Sequence, residues 1–168
     1  MIMAILTSKW MIGIYVVLAI VIILLIICRK SVHSEITIKT SAYNVWNVLT
    51  NTDDYKNWNS VMLLVDGEVK EGNTAKYQFT QEESKSYEIP SKVIQVIPSK
   101  LLNQAGGTIG ILTFNHNYIL EDLNGNTKLI IHEDYRGVMV PFWNPNPVQK
   151  AYERLNRDIK KKAESLNQ

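Results

Sequence analysis

The chain has 168 residues, 18 lysines and arginines against 16 aspartates and glutamates, and a formal net charge of +2. That near balance excludes nucleic acid as a main partner, because phosphate binding needs a concentrated basic footprint. A single cysteine excludes an intramolecular disulfide framework.

The first element is apolar. Residues Met11 to Ile27 carry no charge and no proline, and most are Ile, Leu or Val. The segment matches the ~20 residues a helix needs to cross a bilayer, and each Ile, Leu or Val favours insertion by roughly 0.3–0.6 kcal/mol. A cleaved signal peptide would show a shorter apolar core and a small-x-small site. A lipoprotein signal would want a small residue before Cys28, where Ile27 stands. The expectation is therefore an uncleaved transmembrane anchor within residues 1–30, followed by one domain over 31–168. Arg29, Lys30 and Lys39 outweigh Lys9, which leans the domain toward the cytoplasmic side. Cys28 reads as an apolar cysteine at the boundary rather than an acylation site.

Next, His33 to Lys39 alternates and is β-branched, which predicts a strand. Ser41 is a good N-cap, and Val45, Trp46 and Leu49 follow at helical spacing. A second short helix is expected through Asp53, Asp54, Tyr55 and Trp58. Strands follow at about Val61–Val69, Thr74–Thr80, Tyr87–Ile97, Lys100–Gly107, Ile111–Asp122 and Thr127–Val138. Turn chemistry separates several of them, as at Glu71-Gly72-Asn73, Pro98-Ser99 and Asn124-Gly125. The last element is a helix with Asn146 as its cap and Pro147 in its first turn. Val148, Tyr152, Leu155, Ile159 and Leu166 mark its apolar stripe, and Lys160 to Lys162 suit the negative end of its dipole. An antiparallel meander must bury one face, and this helix is the only element of the domain long enough to cover it.

The chain resembles the START-like superfamily, also called SRPBCC or polyketide cyclase/dehydrase-like. The resemblance runs from about Val32 to Leu166. It rests on Ser41-Ala42-Tyr43-Asn44-Val45-Trp46-Asn47-Val48-Leu49-Thr50, on Tyr55-Lys56-Asn57-Trp58-Asn59, on Leu129-Ile130-Ile131-His132-Glu133-Asp134-Tyr135-Arg136-Gly137, and on a final helix with Leu155-Asn156 before a basic end. Where such chains commonly have Pro after the Trp-Asn pair, this one has Ser60, a departure expected to loosen one turn. The resemblance implies an α+β helix-grip fold, in which a curved antiparallel sheet wraps round a long C-terminal helix and leaves a cavity between them. Members bind lipids, sterols, polyketides, quinones or plant hormones, and a few are enzymes; fold does not decide which.

The hairpin at Asn124-Gly125 carries the sharpest residue-level expectation. A two-residue type I′ turn there fixes the register. Leu123 faces Asn126, and counting outward pairs Leu120 with Leu129, Tyr118 with Ile131, His116 with Glu133 and Phe114 with Tyr135. These side chains share one face. Thr113, Asn115, Asn117, Glu121, Lys128, His132, Asp134 and Arg136 share the other, which is solvated. A His and a Glu thus oppose each other on an apolar face, where an unpaired charge is costly. They are a self-satisfied structural pair, a polar anchor for a ligand head group, or an acid/base pair for catalysis. Tyr77 and Phe79 share a face of their strand, as do Tyr87, Ile89 and Val93, and Tyr152, Leu155, Asn156 and Ile159 should point inward from the last helix. The expected ligand-binding set is Tyr77, Phe79, Phe114, His116, Tyr118, Ile131, Glu133, Tyr135, Tyr152 and Asn156, with His116 and Glu133 the only catalytic candidates. Trp46 and Trp58 read as packing, and Trp143, among prolines, as a residue of the cavity mouth.

The chain has no Gly-rich phosphate loop, no His-Glu-x-x-His motif and no Gly-x-Ser-x-Gly elbow. His33, His116 and His132 fall on separate elements or opposite faces, so neither a metal nor another cofactor is expected. The expectation is a membrane-anchored binding protein for a small hydrophobic molecule such as a lipid, quinone, isoprenoid or polyketide. The alternative is a cyclase or dehydratase using the His-Glu pair. Sequence leaves the oligomeric state open.

Overall fold

The structure is a computed structural model that describes residues 9–82 and 85–166, without the side chains of residues 25–27. It begins with α1 (Lys9–Ile27), whose described side chains stop at Leu24. Among the described residues, no helix is long and apolar enough to cross a membrane. The anchor expected from sequence thus finds no support there, and residues 1–8 of its range lie outside the described residues.

The remaining elements are β1 (Arg29–Ile38), α2 (Ala42–Thr50), a 3-10 turn (Thr52–Asp54), α3 (Tyr55–Trp58), β2 (Met62–Gly67), β3 (Thr74–Glu82), β4 (Lys85–Ile97), β5 (Leu101–Thr108), β6 (Leu112–Asp122), β7 (Thr127–Arg136), a second 3-10 turn (Val140–Phe142) and α4 (Asn146–Ser165). The strands form one seven-stranded sheet in the order β1-β7-β6-β5-β4-β3-β2, every neighbour antiparallel. The fold is the α+β arrangement expected, a curved sheet gripping a long C-terminal helix. β1 starts at Arg29, four residues before the expected His33, because Arg29 and Lys30 already pair with Arg136 and Tyr135. No linker separates it from α1.

Ser41 caps α2, its hydroxyl accepting from the Asn44 N–H. The cap of α4 differs from expectation. Asn146 is already helical, and the Asn144 side chain accepts from its N–H instead; Pro147 does sit in the first turn. Leu166 also leaves the expected stripe, being exposed just past the end of the helix. Val148, Tyr152, Leu155 and Ile159 are buried as the 3.6-residue period requires. Trp46 is buried, and Trp58 packs edge-on against Tyr55.

Hydrogen bonds show how far the sheet curls. The Gln149 side chain of α4 bonds both the N–H and the carbonyl of His33 on β1, while Arg154 donates to the Thr80 carbonyl on β3. In a flat sheet those strands, five steps apart, would be about 24 Å from each other, yet both reach one helix ~10–12 Å across. The sheet therefore wraps. The turn at Ser60 is not loose: its N–H and hydroxyl both donate to the Asp158 carboxylate on α4, at 3.0 and 2.6 Å. Further along, Lys162 pairs with Asp54 at 2.8 Å and holds that carboxyl below the usual carboxylate range.

Leu155 is 1% exposed at the centre of this grip. Leu155→Asp should unfold the domain, because an unpaired buried charge and a lost apolar side chain together cost several kcal/mol. An unchanged melting temperature in circular dichroism would remove that stripe from the core.

Candidate functional site

The hairpin between β6 and β7 has the register its turn dictates. Asn124 and Gly125 take φ of 56° and 95°, as a two-residue turn of this hand requires. Leu123 bonds Asn126, and Leu120, Tyr118, His116 and Phe114 stand opposite Leu129, Ile131, Glu133 and Tyr135. Thr113, Asn115, Asp134 and Arg136 fall on the convex face.

The concave face, with α4 across it, encloses a partly open cavity of about 270 Å³. Of the expected residues, Tyr77, Phe79, Phe114, His116, Glu133 and Tyr135 line it. Tyr118, Ile131, Tyr152 and Asn156 do not. Ile131 is wholly buried under the helix, the Tyr118 hydroxyl is turned to Met62 Sδ, and Asn156 donates to Ser34 Oγ on β1. Tyr152 is buried behind the wall and donates to Glu133. Sequence reasoning missed Met62, Gln81, Ser91, Gln104, Leu112 and Val148 as wall residues. Gln104 had a signal: an amide in mid-strand, two residues from the apolar Leu102, must find a partner when buried. It does, donating to the Tyr77 hydroxyl at 2.7 Å. Trp143, expected at the mouth, lines the cavity, its ring 4.2 Å from that of Tyr135 and its carbonyl accepting from Lys30 Nζ.

Gly106 shapes the lumen without lining it. A Cβ there would come within 2.6 Å of both the Phe114 ring and the Pro90 carbonyl. Only a residue with no side chain lets the Phe114 ring lie back against β5.

The polar centre is compact. His116 Nδ1 and Glu133 Oε2 are 2.8 Å apart, both side chains nearly fully buried, and the Tyr152 hydroxyl donates to the same carboxylate oxygen. The rings of Tyr118 and Tyr152 stand edge-on to His116, at 4.5 and 5.1 Å. A carboxylate only accepts, so the proton of the His–Glu bond lies on Nδ1; in the neutral ring Nε2 then carries a lone pair. Nε2 is buried and has no hydrogen-bond partner among the described residues. Such an atom is uncommon, since leaving it unmade costs ~1–3 kcal/mol. A ligand group that reached Nε2 would give it a partner that the described residues do not supply. Burial, reinforced by the charge of Glu133, pushes the Tyr152 and Tyr135 phenols well above their ordinary range, so both stay protonated donors. Burial likewise pushes Tyr77 up from 10.0 to about 12, the Gln104 bond pulling the other way.

Residues 39–157 match the family described as Activator of Hsp90 ATPase homolog 1-like protein. No curated protein matches the sequence significantly. Among solved structures, the aromatase/cyclase Zhui from Streptomyces is 15% identical, with a TM-score of 0.59 over 83% of this chain and 96% of its own. Norcoclaurine synthase from Thalictrum flavum, solved with dopamine and hydroxybenzaldehyde, is 15% identical, with a TM-score of 0.56 over 79% of this chain and 85% of its own. A protein from Thermus thermophilus is 9% identical, with a TM-score of 0.67 over 83% of this chain and 100% of its own. At these identities the likeness shows a shared fold.

The tyrosine shift has a measurable consequence. The unfolded chain gives up the Tyr77 proton near 10.0, whereas the folded domain keeps it to about 12. Its contribution is complete below that window and drains away as the pH rises through it, by roughly 3 kcal/mol in all. Denaturation midpoints should therefore fall across this range, and Tyr77→Phe should remove part of the slope. An unchanged slope in Tyr77→Phe would show that this phenol ionises freely in the fold.

Proposed function

The chain belongs to the Activator of Hsp90 ATPase homolog 1-like protein family, and from that membership we propose that it is a membrane-anchored binding protein for a small hydrophobic molecule carrying one hydrogen-bonding group. The observation behind this reading is the buried, unpartnered Nε2 of His116 beside an apolar cavity. The aromatic and aliphatic wall, with Tyr77, Phe79, Leu112, Phe114 and Tyr135, takes the body of the ligand. Nε2 takes its hydroxyl, phenol or N–H, and Glu133 and Tyr152 hold the imidazole in place. A lipid, quinone, isoprenoid or polyketide-like molecule has this chemistry.

The anchor is the charge-free segment from Met11 to Ile27. It keeps the domain where such molecules partition, with the domain on the cytoplasmic side by the balance of Arg29, Lys30 and Lys39 over Lys9. A second reading has its own support. A carboxylate that orients the imidazole of a cavity-lining histidine is also the arrangement of a positioned general base. On that reading the protein is a cyclase- or dehydratase-type enzyme, with His116 as base and Glu133 as its positioning partner.

Three measurements test these readings. The full chain should resist alkaline carbonate extraction and keep its N-terminus; release into the supernatant, or a mature end near Ser31, would remove the anchor. Extraction of the purified protein followed by mass spectrometry should yield a copurifying lipophile. Glu133→Gln keeps the shape and should leave folding nearly intact while weakening that lipophile by roughly 1–3 kcal/mol. Asp134→Asn, one residue along on the convex face, should change nothing. Equal binding by both variants would make His116 and Glu133 structural. Normal binding by Glu133→Gln with loss of a turnover would favour the enzyme.

A further inference from the structure

Two loops next to cavity-lining residues carry exposed apolar side chains. Ile109 and Ile111, between β5 and β6, are 92% and 51% exposed; Met139 and Phe142, after β7, are 47% and 78% exposed. Singly exposed apolar residues are ordinary on a protein surface, but a cluster on adjoining loop tips is not. The two loops are joined: the Val138 N–H donates to the Gly110 carbonyl and the Met139 N–H to the Ile111 carbonyl. Gly137, at φ +135°, allows this contact, since a Cβ there would collide with the Ile111 carbonyl. Gly107, Leu112 and Trp143, which neighbour these tips in the chain, line the cavity.

Charge and connectivity say what covers this end. Arg29 and Arg136 stand directly opposite each other where β1 meets β7, and both are exposed. Neither has a carboxylate within ion-pairing reach among the described residues. Like charges placed so are unfavourable unless an anion joins them. Arg29 also follows Ile27, the last residue of α1, by only two positions, so the two Cα atoms lie within about 7 Å of each other. Whatever surface the apolar segment enters, the arginine pair and the neighbouring loop after β7 are beside it.

We propose that this end of the domain docks on an anionic bilayer surface, with Ile109, Ile111, Met139 and Phe142 in the headgroup–acyl boundary and Arg29 and Arg136 on lipid phosphates. The proposal rests on the anchor reading above for its approach to the membrane. Docking turns the end of the cavity lined by Gly107, Leu112 and Trp143 toward lipid, so that a ligand passes between bilayer and pocket with little exposure to water. Apolar tips flanked by cations are the chemistry of interfacial binding.

The test uses the full chain in vesicles of phosphatidylcholine and phosphatidylglycerol. Nitroxide labels are placed at Ile109→Cys, Phe142→Cys or Leu123→Cys in a Cys28→Ser background; Leu123 lies at the opposite end of the sheet, on the β6–β7 turn. Labels at 109 and 142 should lose collisions with a water-soluble nickel chelate and gain them with oxygen, while the label at 123 should not. Arg136→Glu, which pairs with Arg29, should restore chelate access at both tips. If the chain resists carbonate and all three labels collide with the chelate equally, the docking proposal is overturned and the anchor stands. If carbonate releases the chain while the tips stay in lipid, the anchor falls and docking stands. Release together with chelate-accessible tips overturns both.

Discussion

Register in the β6–β7 hairpin decides what the cavity contains. Side chains alternate with a period of two, so a slip of one residue would exchange the whole concave set for the convex one. His116, Glu133 and Tyr135 would leave the lumen, and Asn115, Asn117, His132 and Asp134 would enter it. Asn124 and Gly125 guard against that slip with backbone angles few other residues adopt readily. The pairing of His116 with Glu133 is thus secured by a turn at the far end of the hairpin.

The helix acts on this register from outside. Tyr152 gives the Glu133 carboxylate its second donor, and Gln149 and Arg154 fasten β1 and β3 to the same cylinder. Curvature, cavity and buried charge are therefore one problem with one solution. A flatter sheet would release α4, and with it the Tyr152 donor that helps Glu133 stay buried. Ser60 belongs to the same solution: in place of a rigid proline, its two bonds to Asp158 tie the turn before β2 to the helix.

Legibility followed the range of the interaction. The hairpin, the Ser41 cap and the stripe from Val148 to Ile159 depend on residues a few positions apart, and all were readable. The end of that stripe was not, because Leu166 keeps the helical spacing in sequence but falls past the helix end. Tyr77 and Phe79 on β3 were readable from the face they share, but the other contributions of β2 to β5 were not. Bulges between Leu64 and Asp66, Thr80 and Glu82, and Val93 and Gln95 shift the pairing, so simple alternation loses its phase there. Met62, Ser91 and Gln104 enter the lumen from β2, β4 and β5. Nor could sequence separate the wall from the layer behind it. Tyr118 and Tyr135 share a face of the hairpin, yet one turns toward Met62 and the other meets the cavity, a difference set by contacts across the sheet.

Gly106 makes the shape of the cavity depend on a position that contributes no side-chain atoms. The Phe114 ring and the Pro90 carbonyl both lie within 2.6 Å of where a methyl carbon would sit. Alanine in that place would press on the cavity-lining ring and on the β4 backbone together, so the room in the cavity depends on how closely β4 and β5 approach. The shape of the cavity and its polar centre are therefore set on different strands, the first by the missing carbon atom on β5 and the second by a pair of side chains on β6 and β7.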